Sequence, residues 1–150
     1  MLKKILSVLL TATMILSMVG CGGTEDAAAD NDFKVGMVTS VGGVNDGSYS
    51  QSAWEGLTKA QNELGVKVTY LESKTDADYA SNIETFIDEE YDVIMGVGFQ
   101  LADAIAEAAS TYPDQKFVII DDSTYADLPN LACLMFEQAQ ASYLVGYIAG

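Results

Sequence analysis

The segment SVGGVNDGSYSQ, residues 40–51, combines residue types that can hold a polar ligand. Gly42 and Gly43 allow backbone torsions that other residues avoid, and they let a ligand approach the main chain. The serines supply hydroxyl groups, and Tyr49 supplies an aromatic face on which a ring could stack, a contact worth about 1–3 kcal/mol. The segment follows the apolar run FKVGMVT (33–39), so we expect it to be the loop that leaves a strand.

A second interpretation of the same segment needs no ligand. The two glycines would form a tight turn between a strand and a helix, and Asp46, after Asn45, would cap that helix. Tyr49 would then be the first core residue on the apolar face of the helix. Residue types alone leave both interpretations open.

The composition excludes several classes of function. The chain of 150 residues contains no histidine and no arginine, and its seven basic residues are all lysine. Histidine-based catalytic pairs, ordinary zinc sites and bidentate arginine clamps on phosphate are therefore excluded. The net charge of −15 disfavours nucleic acid and anionic membrane surfaces as partners. We therefore expect no enzymatic activity, no cofactor and no nucleic-acid partner, and a ligand that is neutral or cationic.

Two other patterns carry less weight. The stretch GGVNDG follows a strand, but it lacks the glycine spacing of a dinucleotide-binding loop and no phosphate-loop lysine comes after it. Asp121 and Asp122 end an apolar run and could form a metal-binding or catalytic carboxylate pair. No basic residue lies near this pair in the sequence, which disfavours the catalytic interpretation.

The first 32 residues are typical of an exported lipoprotein. Residues 1–20 have a basic start and a short apolar run, the layout of a secretory signal, and the residues before Cys21 resemble a bacterial lipobox. Residues 21–32 have the composition of a flexible acidic tether. We expect Cys21 to carry lipid and to hold residues 33–150 at the extracytoplasmic face of the cell membrane; an uncleaved membrane anchor is the alternative. Cys133 then has no disulfide partner and is expected to pack as a small buried side chain.

Apolar runs alternate with amphipathic segments over residues 33–150. Strands are predicted at 33–39, 66–73, 91–99, 116–122 and 130–136, and helices from about Asp46 to Gly65, over 76–90, over 100–110 and from 138 onward. The apolar face of the first helix is predicted to contain Tyr49, Ala53, Leu57, Ala60 and Leu64. This alternation predicts an α/β fold with a parallel, doubly wound sheet. Ligands of such sheets bind beyond the carboxyl ends of the strands, where the segments Ser40 to Ser50, Gly98-Phe99 and Asp121-Asp122 are expected.

Several stretches in order resemble the basic membrane protein family. They are KVGMVTSVGGVNDGSYSQSAWEGL, YLESKTDADYASNIETFIDEEYDVIMGVGF, YPDQKFVIIDD and SYLVGYIAG, and the resemblance runs from Lys34 to Gly150. Members of this family are lipoprotein substrate-binding components of ABC importers, and the best understood bind purine nucleosides. The resemblance implies a type I periplasmic-binding-protein fold of two lobes, of which this chain has the first, and an importer permease as partner.

The resemblance also implies a set of ligand-binding residues. The family pattern after the first strand is Asp-x-Gly-Gly-x-x-Asp-x-Ser-Phe-Asn, at which this chain has Ser40, Asp46, Tyr49 and Ser50 for Asp, Asp, Phe and Asn. Tyr49 would stack on the base, Ser40 and Ser50 would donate to or accept from the ligand, and Asp46 would order the loop. Asp121 resembles a ligand-binding carboxylate after the fourth strand. Because Ser40 and Ser50 depart from the pattern, a sugar-like neutral ligand, or a sensor or adhesion role without transport, stays open.

The helical pattern at the end of the sequence runs to Gly150 without a capping residue. We therefore expect the chain to be a fragment of a two-lobed protein. With its second lobe missing, the last helix should expose Tyr143, Leu144, Tyr147 and Ile148.

Overall fold

The computed structural model describes residues 32–150. The predicted signal segment (1–20), the predicted lipid-bearing Cys21 and the predicted tether up to residue 31 lie outside the described residues.

Strands and helices alternate through the described residues. In chain order they are β1 (Lys34–Thr39), α1 (Tyr49–Leu64), β2 (Lys67–Glu72), α2 (Asp78–Asp88), β3 (Val93–Val97), a 3-10 turn (Phe99–Leu101), α3 (Ala102–Thr111), β4 (Lys116–Ile120), β5 (Leu131–Leu134) and α4 (Gln138–Ala149). All of the predicted elements are present, which confirms the predicted α/β class.

The five strands form one parallel sheet in the order β2-β1-β3-β4-β5. From β1 the chain moves outward to β2 and then returns to the other side of β1, so the strand order reverses between β1 and β3. The register places the last residues of the strands in one row, Glu72, Thr39, Val97, Ile120 and Leu134. The loops that follow the strands therefore meet along one edge of the sheet, as the fold class predicts.

Helices α2 and α3 cover one face of the sheet and enclose the larger core. Phe86 of α2 is 1% exposed and packs with Ile105 of α3 and with Ile94 and Phe117 of the sheet. A Cβ atom placed on Gly36 of β1 would lie 2.5 Å from the Phe86 ring, so only glycine permits this approach. Cys133 packs against this core half-buried, and burial raises the pKa of its thiol. Apolar side chains of both helices are thus buried against this face, which stabilises the fold.

Helix α1 covers part of the other face, over a smaller core. Met37, Val44, Val97 and Ile120 are buried there. The partly buried side chains packed against them are Tyr49, Ala53, Trp54, Leu57, Tyr70 and Met95. The predicted apolar face of α1 is confirmed at Tyr49, Ala53 and Leu57.

The predicted face of α1 is wrong at its end. Leu64 is the last residue of the helix and is 64% exposed, because the chain turns away immediately afterwards at Gly65, whose φ is 72°. Trp54, which the periodicity did not select, packs instead with its ring centroid 4.7 Å from that of Tyr70.

Some predicted elements extend too far. Strand β3 ends at Val97, because Gly98 has a φ of 98° and the 3-10 turn begins at Phe99. Strand β4 ends at Ile120, because Asp121 adopts a φ of 67°. Helix α2 begins at Asp78, whose carboxylate accepts hydrogen bonds from the backbone N–H groups of the two residues at 74 and 75.

Helix α4 is exposed along its whole length, and Ile148 near its end is 84% exposed. This confirms the predicted exposure of its apolar side chains. None of the helices in residues 32–150 has both the length and the apolar character that crossing a membrane requires.

Candidate functional site

The loop after β1 is held by its own backbone and by β2. Gly43 donates its N–H to the carbonyl of Ser40 over 3.0 Å, and Val44 donates its N–H to Glu72 Oε1 over 2.8 Å. Gly43 has a φ of 71°, and a Cβ atom on it would lie 2.9 Å from the same Glu72 oxygen. The loop therefore needs glycine at this position, and Glu72, which sequence reasoning missed, fixes the loop to the end of β2.

Asp46 organises the start of α1. Its Oδ1 accepts hydrogen bonds from the N–H groups of Ser48 (2.8 Å) and Gln51 (3.1 Å), and its Oδ2 accepts one from Ser50 (3.1 Å). By backbone position the N-cap is Ser48, which has no side-chain capping bond. The predicted helix start near Asp46 is thus three residues early, although the Asp46 carboxylate performs the capping.

The pKa of Asp46 reflects these contacts. Burial acts to raise it, and the backbone N–H groups of Gln51, Ser48 and Ser50 act to lower it. The hydrogen bonds outweigh the burial and hold the pKa of Asp46 below its ordinary value, because each of them favours the charged carboxylate. The free N–H groups at the start of a helix therefore already have an anionic partner within the chain.

The two serines of the loop have different surroundings. Ser50 is 1% exposed, and its hydroxyl bonds the Asp46 carboxylate, so its side chain supports the loop from inside. Ser40 is half-buried at the end of β1. A Cβ atom placed on Gly98 would lie 3.9 Å from Ser40 Oγ. The loops after β1 and β3 are therefore close to each other at the point where the strand order reverses.

Tyr49 and Asp121 meet through a third residue. Gln138 Nε2 donates one hydrogen bond to the Tyr49 hydroxyl over 2.5 Å and another to Asp121 Oδ1. The backbone N–H of Asp121 donates to the carbonyl of Leu134 over 2.9 Å. The structure therefore brings together two predicted site residues that lie far apart in the sequence, and it adds Gln138, which was not predicted.

The neighbouring carboxylates at the end of β4 have separate partners. Asp122 accepts hydrogen bonds from the backbone N–H of Thr124 (2.8 Å) and from its hydroxyl (3.1 Å). Asp122 therefore closes the turn that follows β4, whereas Asp121 faces Gln138. Within residues 32–150 there is no cluster of three or more acidic, cysteine or histidine side chains suited to hold a metal ion.

Apolar side chains stand beside these polar groups at the same edge of the sheet. Phe99, which follows Gly98 at the end of β3, is 63% exposed, and Val41 and Phe136 are more than half exposed. The ring of Phe136 lies 5.9 Å from that of Tyr49, at an angle of 46°. A few polar groups among apolar and aromatic side chains are what small-molecule sites consist of. The sequence places Phe99 at this edge as part of the candidate segment after the third strand, whereas Phe136 is assigned to the predicted fifth strand and no pattern in the sequence marks it as part of the site.

Comparisons with known proteins agree with this architecture. Residues 33–150 match the sequence profile of the Bmp family, described as ABC transporter substrate-binding protein PnrA-like. The CD4+ T-cell-stimulating antigen of Listeria monocytogenes serovar 1/2a is 40% identical over 156 residues, covering 97% of this chain and 43% of that protein. The ABC transporter nucleoside-binding protein BmpA of Lactococcus lactis subsp. cremoris is 34% identical over 158 residues, covering 99% of this chain and 45% of that protein.

A solved structure shows the same arrangement of elements. The ABC transporter system solute-binding protein from Aeropyrum pernix K1 matches with a TM-score of 0.70 and 32% identity, over 76% of this chain and 31% of that chain. This chain thus spans less than half the length of the two relatives above. The resemblance stated from the sequence is confirmed, and the chain belongs to the Bmp family of PnrA-like ABC transporter substrate-binding proteins.

Proposed function

We propose that this chain is the first ligand-binding lobe of a lipid-anchored substrate-binding protein, and that its ligand is a purine nucleoside for an ABC importer. The observation that carries the proposal is the meeting of Tyr49 and Asp121 through Gln138 at the carboxyl edge of the sheet. The ligand named for the Lactococcus relative supports the ligand class.

Each predicted site residue has a role in this proposal. The ring of Tyr49 stacks on the base, and the Asp121 carboxylate accepts hydrogen bonds from the sugar hydroxyls. Ser40 adds a hydroxyl where the loops after β1 and β3 approach each other. Asp46 and the buried Ser50 act indirectly, by holding the loop that carries Tyr49.

The charge of the chain favours a nucleoside over a nucleotide. The net charge is −15, and the chain has no arginine with which to bind a phosphate in a bidentate manner. Asp121 at the site would repel a phosphate group. A neutral nucleoside meets neither penalty.

The ligand class is tested by isothermal titration calorimetry on the protein purified from its native membrane. Adenosine, guanosine and inosine are each compared with their 5′-monophosphates and with neutral sugars. We expect the nucleosides to bind and the monophosphates to bind at least tenfold more weakly, the effect of about 1.4 kcal/mol. If a sugar binds and no nucleoside does, the ligand class is the neutral sugar that the serine at position 40 leaves open, and the nucleoside proposal fails. Tighter binding of the monophosphates would contradict the charge argument.

The lipid anchor is tested separately. In the proposal Cys21 carries the lipid that keeps the protein on the extracytoplasmic face of the cell membrane, next to the permease. Cys21→Ser should release the protein from the membrane fraction, and Cys133→Ser is the matched control that should stay with it. Equal membrane retention of the two variants would contradict lipid attachment at Cys21.

A further inference from the structure

Gln138 is the first residue of α4, and its side-chain amide joins two other elements of the lobe. It donates to the Tyr49 hydroxyl at the start of α1 and to the Asp121 carboxylate after β4. Every residue of α4 is exposed, Gln138 included. The amide of Gln138 is therefore the point at which α4 meets the residues of the site.

The hydrogen bonds that the Gln138 amide already makes determine which donors and acceptors remain for a ligand. A side-chain amide has two N–H donors and one carbonyl acceptor, and here both donors have partners within the chain. The remaining groups are the Gln138 carbonyl, the second oxygen of Asp121 and the hydrogen of the Tyr49 hydroxyl. Two acceptors and one donor therefore have set positions before any ligand arrives.

The backbone of Asp121 shows that this arrangement is constrained. Its φ of 67° lies in the left-handed region, which costs free energy in a residue other than glycine and persists where surrounding contacts hold it. Two such contacts are present, one from its N–H to the Leu134 carbonyl and one from Gln138 to its side chain. Gln138 thus helps to keep Asp121 in a conformation that it would otherwise leave.

We propose that Gln138 is a positioning residue for ligand binding: it fixes the Tyr49 ring and the Asp121 carboxylate relative to each other, so that the ligand meets a preorganised site. The inference rests on the proposed function, because the ligand probe is a purine nucleoside. Groups that are held in place before binding lose less conformational freedom on binding, which strengthens the affinity.

The first test measures nucleoside affinity by calorimetry on the protein purified from its native membrane. Gln138→Ala should weaken binding about tenfold, since it removes a hydrogen bond to a charged group. Gln140→Ala is the matched control, because Gln140 lies on the same helix, is exposed and bonds Glu137 instead. Unchanged affinity of Gln138→Ala would overturn the inference and leave the proposed function intact.

A double-mutant cycle with Tyr49→Phe separates positioning from a general structural effect. If Gln138 acts through the Tyr49 hydroxyl, Gln138→Ala should weaken binding less in the Tyr49→Phe protein than in the wild type. Equal effects in both backgrounds would show that Gln138 does not act through Tyr49, and would overturn this part of the inference.

A further test, by NMR, needs no ligand. The side-chain amide signals of Gln138, measured by NMR in the ligand-free protein, should shift in both Tyr49→Phe and Asp121→Asn. Signals that stay in place in both variants would overturn the inference. If the wild type binds no nucleoside, the proposed function fails, and the amide signals still decide whether Gln138 joins the two residues.

Discussion

The two faces of the sheet differ in how completely helices cover them. On one face, α2 and α3 bury Phe86, Ile105 and Phe117 in the larger core. On the other face, α1 lies over a smaller core in which Tyr49 and Trp54 are only partly buried. Helix α4, which follows β5, remains exposed along its whole length. The first face is therefore closed by apolar packing, whereas the second keeps side chains accessible.

Under the proposed function, stability and ligand binding depend on different faces of the sheet. The side chains that the proposed function uses, Tyr49 and Asp121, lie at the edge of the less covered face and are linked by hydrogen bonds instead of deep burial. Regions with few buried contacts open more readily than the core. We therefore expect substitutions on the two faces to affect different properties.

The largest stability effect is expected in the core between α2, α3 and the sheet. Phe86→Ala should lower the free energy of unfolding by about 3–5 kcal/mol, because the ring is buried against Gly36 and its removal leaves a cavity. Leu57→Ala, at a half-buried position on α1, should cost about 1–2 kcal/mol. Urea unfolding of both variants makes the comparison, and equal losses would refute the difference between the two faces.

The next effect concerns binding and not stability. Tyr49→Ala should weaken nucleoside binding by about 1–3 kcal/mol, the value of stacking a base on an aromatic ring. Tyr49→Phe keeps the ring and loses only the hydroxyl that Gln138 holds, so its affinity should fall less than that of Tyr49→Ala. Calorimetry on both variants tests this, and an affinity of Tyr49→Ala equal to that of the wild type would exclude stacking on this residue.

A smaller effect is expected at the start of α1. Asp46→Ala should lower the free energy of unfolding by about 1 kcal/mol, because three backbone N–H groups lose their acceptor. Asp46→Asn retains an acceptor oxygen and should cost less. Thermal unfolding compares the two, and an equal loss would mean that the charge of Asp46, and not its capping, matters.

The pH dependence follows from the direction of the pKa shift. Because the folded protein holds the pKa of Asp46 below its ordinary value, this carboxylate stabilises the fold above about pH 4 and the contribution disappears as pH falls through the lowered pKa. Asp46→Asn should therefore lose less stability than the wild type between about pH 4 and pH 2. Parallel curves for the two proteins would contradict the shift.

The smallest effect is expected on α4. Ile148→Ser should change the free energy of unfolding by no more than about 0.5 kcal/mol, because the side chain is exposed. Urea unfolding of the chain of 150 residues measures it. A loss comparable to that of Leu57→Ala would show that α4 packs against the less covered face in solution.

The order of the elements could be predicted from the sequence because each apolar run has the length of a strand or of one helical face. Their ends could not all be predicted. At Asp121 a carboxylate residue takes a φ of 67°, which only its contacts with Leu134 and Gln138 explain. Periodicity wrongly selected Leu64, because it cannot show where a helix leaves the sheet. It also missed Trp54, whose burial depends on the Tyr70 ring of a neighbouring strand.

The candidate site could be predicted in part from the order of the strands. Tyr49 and Asp121 both follow strands, and parallel strands bring such residues to one edge. The contacts of Glu72 with the loop after β1, and of Gln138 with Tyr49, join residues far apart in the chain, and no local pattern signals them. The burial of Ser50 likewise depends on the fold around it and not on its residue type.

The most direct test of the account compares wild type and Asp121→Ala in calorimetric titrations with guanosine, on protein purified from its native membrane. We expect measurable binding by the wild type and an affinity at least tenfold lower in the variant. A tenfold change corresponds to about 1.4 kcal/mol, within the range for a hydrogen bond to a charged group. Equal guanosine affinity in the two proteins would contradict the placement of the ligand at this edge of the sheet.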